Sequence, residues 1–208
     1  LALVTATASV RRYVVSLVGE ARHSGATAHH NRKDALVGAS LAIVEIDRLG
    51  TASEGTATVG QINVLPGGMN VIAGRADFSV EVCHRNDQQL EELWAQISSA
   101  VTTIAAERGL RPAWGQVHHA SSVTLAGRLQ DCVNEALLAV GDGEPLALAT
   151  ESAPDASVLA EVTETAMLLI RSVAGIGHHP AEDVRVDDVA SAIETMTNAV
   201  LGLARRID

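Results

Sequence analysis

Between Ala73 and His84 the side chains alternate, with Ala76, Phe78, Val80 and Val82 interleaved by Asp77, Ser79, Glu81 and Cys83. A period of two sends one set to a core and the other toward water, which is a half-buried strand of an antiparallel sheet. A strand that is apolar on one face needs a covering layer, and the chain supplies it on both sides in sequence. After Asn31, read as a cap, Ala35, Leu36, Ala39, Ala42, Ile43 and Ile46 recur at helical spacing up to Gly50. After Asn86 or Asp87, Leu90, Leu93, Trp94, Ile97, Val101, Ile104 and Ala105 do the same, and Gly109 ends the helix. Strands over 10–18, 56–65 and 110–118 complete the order β-α-β-β-α-β. This is the ferredoxin-like unit, four antiparallel strands with two helices on one face.

Beyond Ser121 the pattern changes to helix 123–140, the turn Gly141-Asp142-Gly143, a short buried strand 146–149, a loop with a helical turn over 152–159, a strand 166–170, a loop and a helix 186–204. Alternating helix and buried strand predicts part of an α/β sheet with further strands elsewhere. The expected division is residues 1–9 as the end of an upstream segment, 10–120 as the ferredoxin-like domain and 121–208 as the α/β segment. Leu1 opens inside a strand-like run with no initiator methionine, as expected of a piece cut from something longer.

A formal charge of −10 argues against a nucleic-acid or anionic-membrane surface, both of which call for clustered Lys and Arg. No apolar run approaches the ~20 residues that span a bilayer. Cys83 and Cys132 form no C-x-x-C pair, which fits a reduced cytoplasmic setting. No phosphate-cradling glycine motif and no G-x-S-x-G elbow is present.

The chemistry concentrates in three loops. Gly175-Ile176-Gly177-His178-His179-Pro180-Ala181-Glu182 follows the apolar run 166–170 and presents imidazole and carboxylate groups between glycines. Such a loop suits one ligand of a catalytic metal, which needs at least three protein ligands and an open position. His23 lies in a glycine-bounded loop, where it fits either a donor to a ligand carbonyl or a surface histidine. Asn70 follows Pro66-Gly67-Gly68-Met69 and fits either a substrate-holding amide or a turn former. The pairs His29-His30 and His118-His119 read as solvated loop residues or as groups loosely supporting a site, and the acidic pairs at 91–92 and 187–188 favour helix starts.

Three of these segments, in this order, resemble the metal-dependent amidohydrolases that include N-carbamoyl-L-amino acid hydrolases, allantoate amidohydrolases and β-ureidopropionases. The family's H-A-G-T-T-P-M-x-x-R-x-D-A-L corresponds to His23-Ser24-Gly25-Ala26-Thr27 continuing to Arg32-Lys33-Asp34-Ala35-Leu36. Its P-G-x-x-N-V-I-P-G corresponds to Pro66-Gly67-Gly68-Met69-Asn70-Val71-Ile72-Ala73-Gly74, and its G-I-S-H-S-P-x-E to residues 175–182. The resemblance covers almost the whole chain and only the second half of the family.

It implies a ferredoxin-like lid and dimerisation domain followed by the C-terminal part of a zinc-exopeptidase-like α/β catalytic domain. It further implies hydrolysis of a linear amide or ureido C–N bond in an N-carbamoyl amino acid or allantoate-like substrate. By similarity His178 would ligate a divalent metal (zinc, manganese or nickel), His23 would polarise the scissile carbonyl, and Asn70 would hold the substrate's carboxylate end. The remaining ligands and the general base would lie in a missing N-terminal half, so the chain alone is expected to be inactive. A homodimer through the lid helix and an edge strand is implied as well.

The sequence also departs from the pattern. The arginine of the family's F-S-L-D-I-R stands as Cys83, and Arg85 would reach the same face if the strand continued. The family's S-G-A-G-H-D-A reads Thr150-Glu151-Ser152-Ala153-Pro154-Asp155-Ala156. The alternative expectation is therefore a non-catalytic relative serving as a dimerisation or ligand-binding module.

Overall fold

The computed structural model describes residues 1–141 and 143–206; Asp142 of the expected turn lies outside the described residues. The chain forms two compact units. The discontinuous unit comprises Leu1–Ala8, which contains β1 (Ala2–Thr7), together with the chain from Ser122 onward. The inserted unit is Ser9–Ser121.

The inserted unit runs β2 (Ser9–Val18), β3 (Arg22–His23), α1 (Ala35–Ala52), β4 (Thr56–Thr58), β5 (Ile62–Leu65), β6 (Val71–Ile72), β7 (Arg75–His84), α2 (Asp87–Glu107) and β8 (Arg111–Ala120). Its sheet is antiparallel. β8 lies beside β2, β2 beside β7, and β4 and β5 both pair with the far side of β7. The alternation in β7 is realised: Ala76, Phe78, Val80 and Val82 enter the core. There they meet Val15 and Leu17 of β2, Ile46 of α1 and Leu90, Leu93, Ile97 and Val101 of α2.

The opposite face carries polar pairs, Arg12 with Glu81 and Arg75 with Asp77. Three of the chain's four aromatic residues gather on the helix side of the sheet. Tyr13 stacks on Trp94 at 3.9 Å, and Trp114 meets Trp94 edge-on at 5.4 Å.

Three boundaries of the inserted unit differ from expectation. α1 is capped by Asp34, not Asn31: the Asp34 carboxylate accepts from the amides of Leu36 and Val37 at 3.1 and 3.3 Å. Asn31 is used up in a short 3₁₀ turn, His29–Asn31, that precedes the helix. The helix also runs past Gly50 to Ala52. The strand expected over 56–65 is two pieces, with the Ser79 hydroxyl accepting from the amide of Gln61 in the gap.

Two glycines let backbone pack closely. A Cβ at Gly19 would lie 2.0 Å from the Lys33 carbonyl oxygen, and one at Gly38 would lie 2.3 Å from a Leu110 methyl. Leu110 is buried, so its side chain fills the space that both glycines leave open.

The discontinuous unit adds β9 (Val123–Thr124), α3 (Gly127–Val140), β10 (Leu146–Ala149), α4 (Asp155–Leu159), β11 (Met167–Leu169) and α5 (Val186–Ala204). β1 is central, parallel to β10 and antiparallel to β11 and β9. Leu3, Val133, Ala136, Leu137 and Ala199 form the core between sheet and helices. The helix expected from Val123 starts at Gly127, because Val123 and Thr124 pair with the end of β1. β10 was expected to be buried, yet Leu146 is 61% exposed. It pairs only with β1, which leaves its outer edge uncovered among the described residues.

Candidate functional site

Two of the three motif loops lie in the inserted unit, and the sheet pairing brings them together. β3 and β6 form a two-stranded ladder in which Arg22 faces Ile72 and His23 faces Val71. The Ser24 amide donates to the Asn70 carbonyl at 2.9 Å. His23 and Asn70, far apart in sequence, therefore sit at one end of one short ladder, and both are exposed.

The His23 ring is oriented locally. The Gly25 amide donates to its Nδ1 at 3.1 Å, so a neutral ring carries its proton on Nε2. Nε2 receives no hydrogen bond and makes none among the described residues, which leaves an N–H donor without a partner there on an exposed side chain. A donor of this kind can polarise a carbonyl.

The third loop lies in the discontinuous unit. Its ends are tied by the Val173 amide donating to the Asp183 carbonyl at 2.8 Å and by a bidentate pair between Arg171 and Asp188. The Arg171 guanidinium holds the Asp188 carboxyl below its ordinary range. Within the loop Ala174 and His178 adopt φ of 57° and 56°, where side chains other than glycine are strained. The main-chain N–H of His178 donates to a Glu182 carboxylate oxygen at 2.6 Å, and the Ala181 amide donates to His179 Nδ1. The His178 ring is exposed and makes no hydrogen bond among the described residues.

A metal centre needs several such donors converging. Among the described residues no three His, Cys, Asp or Glu side chains come together, so the chain's own residues do not fit a complete metal site. His178 offers a single imidazole, and no step through a metal follows from this geometry.

Arg85 is not where the strand extrapolation put it. β7 ends at His84, whose Nδ1 accepts the Asn86 amide at 2.9 Å while Asn86 caps α2 through the amide of Gln89. Arg85 lies in the bend between, so the alternation that links it to Cys83 is broken. Cys83 itself is buried on the face opposite the core, opposite Val10 and Thr56. Burial, then the charge of Glu81, pushes its thiol up to about 11. A neutral buried thiol cannot replace a guanidinium at a carboxylate. His118 and His119 belong to strand β8, opposite Arg12 and Arg11, and not to a loop.

One residue escaped the sequence reading of the site. Arg32 donates through Nε to the Thr27 carbonyl at 3.0 Å and through Nη2 to the Ser24 carbonyl at 2.7 Å. The available signal was a lone arginine at the end of a polar loop, inside the same motif as His23.

No family model matches the chain. It is 32% identical over 205 residues to an N-carbamoyl-L-amino-acid amidohydrolase of Paenarthrobacter aurescens, covering 98% of this chain and 50% of that protein. It is 28% identical to an allantoate amidohydrolase of Bacillus subtilis over the same shares of each. Among solved structures, an amidase of the hydantoinase/carbamoylase family from Burkholderia vietnamiensis superposes with a TM-score of 0.91 at 30% identity, covering 96% of this chain and 48% of that one. The chain spans about half the length of the relatives it matches.

Proposed function

Because this chain is homologous to the C-terminal half of the N-carbamoyl-L-amino-acid and allantoate amidohydrolases, we propose that it works as that half of a hydrolase cleaving linear amide or ureido C–N bonds. The observation that carries the proposal is the ladder joining His23 to the Asn70 turn, with the imidazole Nε2 left free as a donor. In this reading His23 hydrogen-bonds the scissile carbonyl and stabilises the oxygen as charge builds on it. Asn70 holds the polar end of the substrate. His178 is one ligand of a divalent metal (zinc, manganese or nickel), whose remaining ligands, with the general base, are contributed by the N-terminal half. Such an ion, when bound, supplies Lewis-acid activation of water.

The need for a second half also has support in the discontinuous unit. Ile193, Met196 and Val200 on α5 are 64%, 50% and 61% exposed, and the outer β10 edge is unpaired among the described residues. Apolar faces of this kind are covered in a working assembly. In the inserted unit, Leu41 and Val44 on α1 and Val117 on the edge strand β8 are exposed apolar positions suited to a homodimer contact.

A second reading is favoured by Cys83. With a buried thiol where the family carries arginine, the inserted unit could have lost its substrate carboxylate contact and be kept for binding or dimerisation.

The test is to co-express the chain with an N-terminal half from a relative, load the complex with each metal, and assay N-carbamoyl amino acids and allantoate. Turnover is expected only in the complex, with losses of 10²-fold or more for His23→Ala and His178→Ala. A folded, metal-loaded complex that turns over nothing in a broad substrate panel would overturn the enzyme reading and leave the binding module.

A further inference from the structure

The loop from His23 to Arg32 has no apolar anchor. Neither of its 3₁₀ turns, Ser24–Ala26 and His29–Asn31, contains a buried residue. What holds it in shape is a set of polar contacts, and these converge on one side chain. The half-buried Arg32 guanidinium donates to the carbonyls of Ser24 and Thr27. The Thr27 hydroxyl in turn donates to the His23 carbonyl at 3.0 Å. Arg32 makes no ion pair among the described residues, so its charge is spent on two main-chain oxygens.

We propose that Arg32 is the positioning residue for His23. It acts through the loop and touches no substrate. One of its two charge-assisted bonds holds the Ser24 carbonyl, which shares a peptide group with the Gly25 N–H, and the other holds the Thr27 carbonyl at the far end of the turn. The Gly25 N–H is the group that occupies His23 Nδ1 and thereby keeps the ring proton on Nε2. The other side of the histidine is already pinned, by the ladder to β6 and by the Ser24 amide on the Asn70 carbonyl. Arg32 thus closes the one side of the loop that the ladder leaves unsupported. The chain of contacts is short: guanidinium, Ser24 and Thr27 carbonyls, Gly25 amide, imidazole Nδ1.

The catalytic consequence of this assignment rests on His23 acting on substrate; the positioning itself does not. The two are separated by measuring the ring directly. In the full chain labelled with ¹⁵N at histidine and at backbone amides, the wild-type His23 ring in its neutral form is expected to show an unprotonated Nδ1 and a protonated Nε2. Arg32→Ala is expected to mix the two tautomers. It should also speed exchange of the Ser24 and Gly25 amides about tenfold or more, the loss typical of hydrogen bonds to a charged group.

Arg32→Lys can restore one bond but not the planar fork, so it should fall between the two. It carries the test should the alanine variant fail to fold. Arg48→Ala, which removes a guanidinium paired with Glu45 on exposed α1, serves as the control and should change neither readout. A folded Arg32→Ala protein, or an Arg32→Lys protein in its place, with wild-type ring nitrogens and wild-type exchange would overturn the proposal. In the complex with the N-terminal half, Arg32→Ala is expected to lower kcat with little change in KM. Should the ring loosen while kcat stays at the wild-type value, Arg32 keeps its positioning role and the catalytic role of His23 falls.

Discussion

Gly19 is the position at which the structure gives the sharpest stability prediction. It ends β2 and sends the chain into the His23 loop. Its amide donates to the Gly74 carbonyl at 2.8 Å, and the next amide, of Glu20, donates to the Lys33 carbonyl at 2.9 Å. A Cβ added there would sit 2.0 Å from the Lys33 oxygen and 2.7 Å from a Leu110 methyl. Ordinary contact begins near 3.4 Å, so the carbonyl must retreat by about 1.4 Å. The Leu110 side chain can rotate, but the carbonyl belongs to main chain tied to the start of α1. Retreat on that scale breaks the Glu20 bond and strains the Gly74 bond, at about 0.5–1.5 kcal/mol each. Overpacking beside Leu110 adds about 1–3 kcal/mol. Gly19→Ala should therefore cost about 2–6 kcal/mol, a large share of the ~5–15 kcal/mol that holds a domain folded. Both tryptophans, Trp94 and Trp114, lie in the inserted unit, so fluorescence during urea unfolding reports that unit alone. The midpoint should fall by about 1 M or more, with an unchanged slope. Gly115→Ala is the matched control, since its Cβ would meet nothing closer than 3.8 Å. A Gly19→Ala protein within ~0.5 kcal/mol of the wild type would refute the reasoning.

Two further outcomes can be read with the same fluorescence signal. Asp34→Ala removes the carboxylate that accepts two amides at the start of α1, and should cost about 0.5–2 kcal/mol, while Asp34→Asn should retain most of that. An alanine variant as stable as the wild type would move the cap elsewhere. Cys83 should label with a thiol reagent far more slowly in the native chain at neutral pH than in urea. Burial, and then Glu81, holds its thiol up at about 11. A pKa raised on folding means the native state keeps a proton that the unfolded chain releases near ~8.5. The contribution is thus intact below that pH and lost as pH rises through about 11. The urea midpoint should decline across that window in the wild type and less so in Cys83→Ala. Equal slopes would count against the assignment.

How much of this was legible in the sequence depends on how many residues share each signal. α2 declares itself through Leu90, Leu93, Ile97, Val101 and Ala105, all of which the structure buries. β7 does so through its four alternating core residues, and the ferredoxin-like order follows from these long elements. The ladder that joins His23 to the Asn70 turn contains two residues from each strand, too few to show any period. Arg85 shares the face of Cys83 only if the strand continues past His84. Asn86 stops it, because a capping side chain requires the chain to leave the strand before the helix starts. Arg32 lies inside the His23 motif, yet its role is a pair of bonds to carbonyls, and carbonyls are the same in every sequence.

The discontinuous unit shows a different limit. α5 turns small residues, Ala192, Thr195 and Ala199, toward the unit's interior, where α3 packs closely against it. Its exposed positions include Ile193, Met196, Val200 and Leu201. A helix that is apolar on both sides belongs between two layers, and the described residues supply one. The apolar run Leu146-Ala147-Leu148-Ala149 reads as a buried strand for the same reason, although among the described residues nothing pairs with its outer edge. Both patterns ask for an environment that the described residues do not supply. Taken with relatives about twice as long as this chain, the mismatch between sequence pattern and exposure supports the proposal that a second half covers this face. Replacing Ile193 and Val200 with Ser should therefore leave the isolated chain's stability within about 0.5 kcal/mol, as for solvent-facing sites, while abolishing its association with an N-terminal half. Association at wild-type strength would mean that the uncovered face of α5 is not the docking surface.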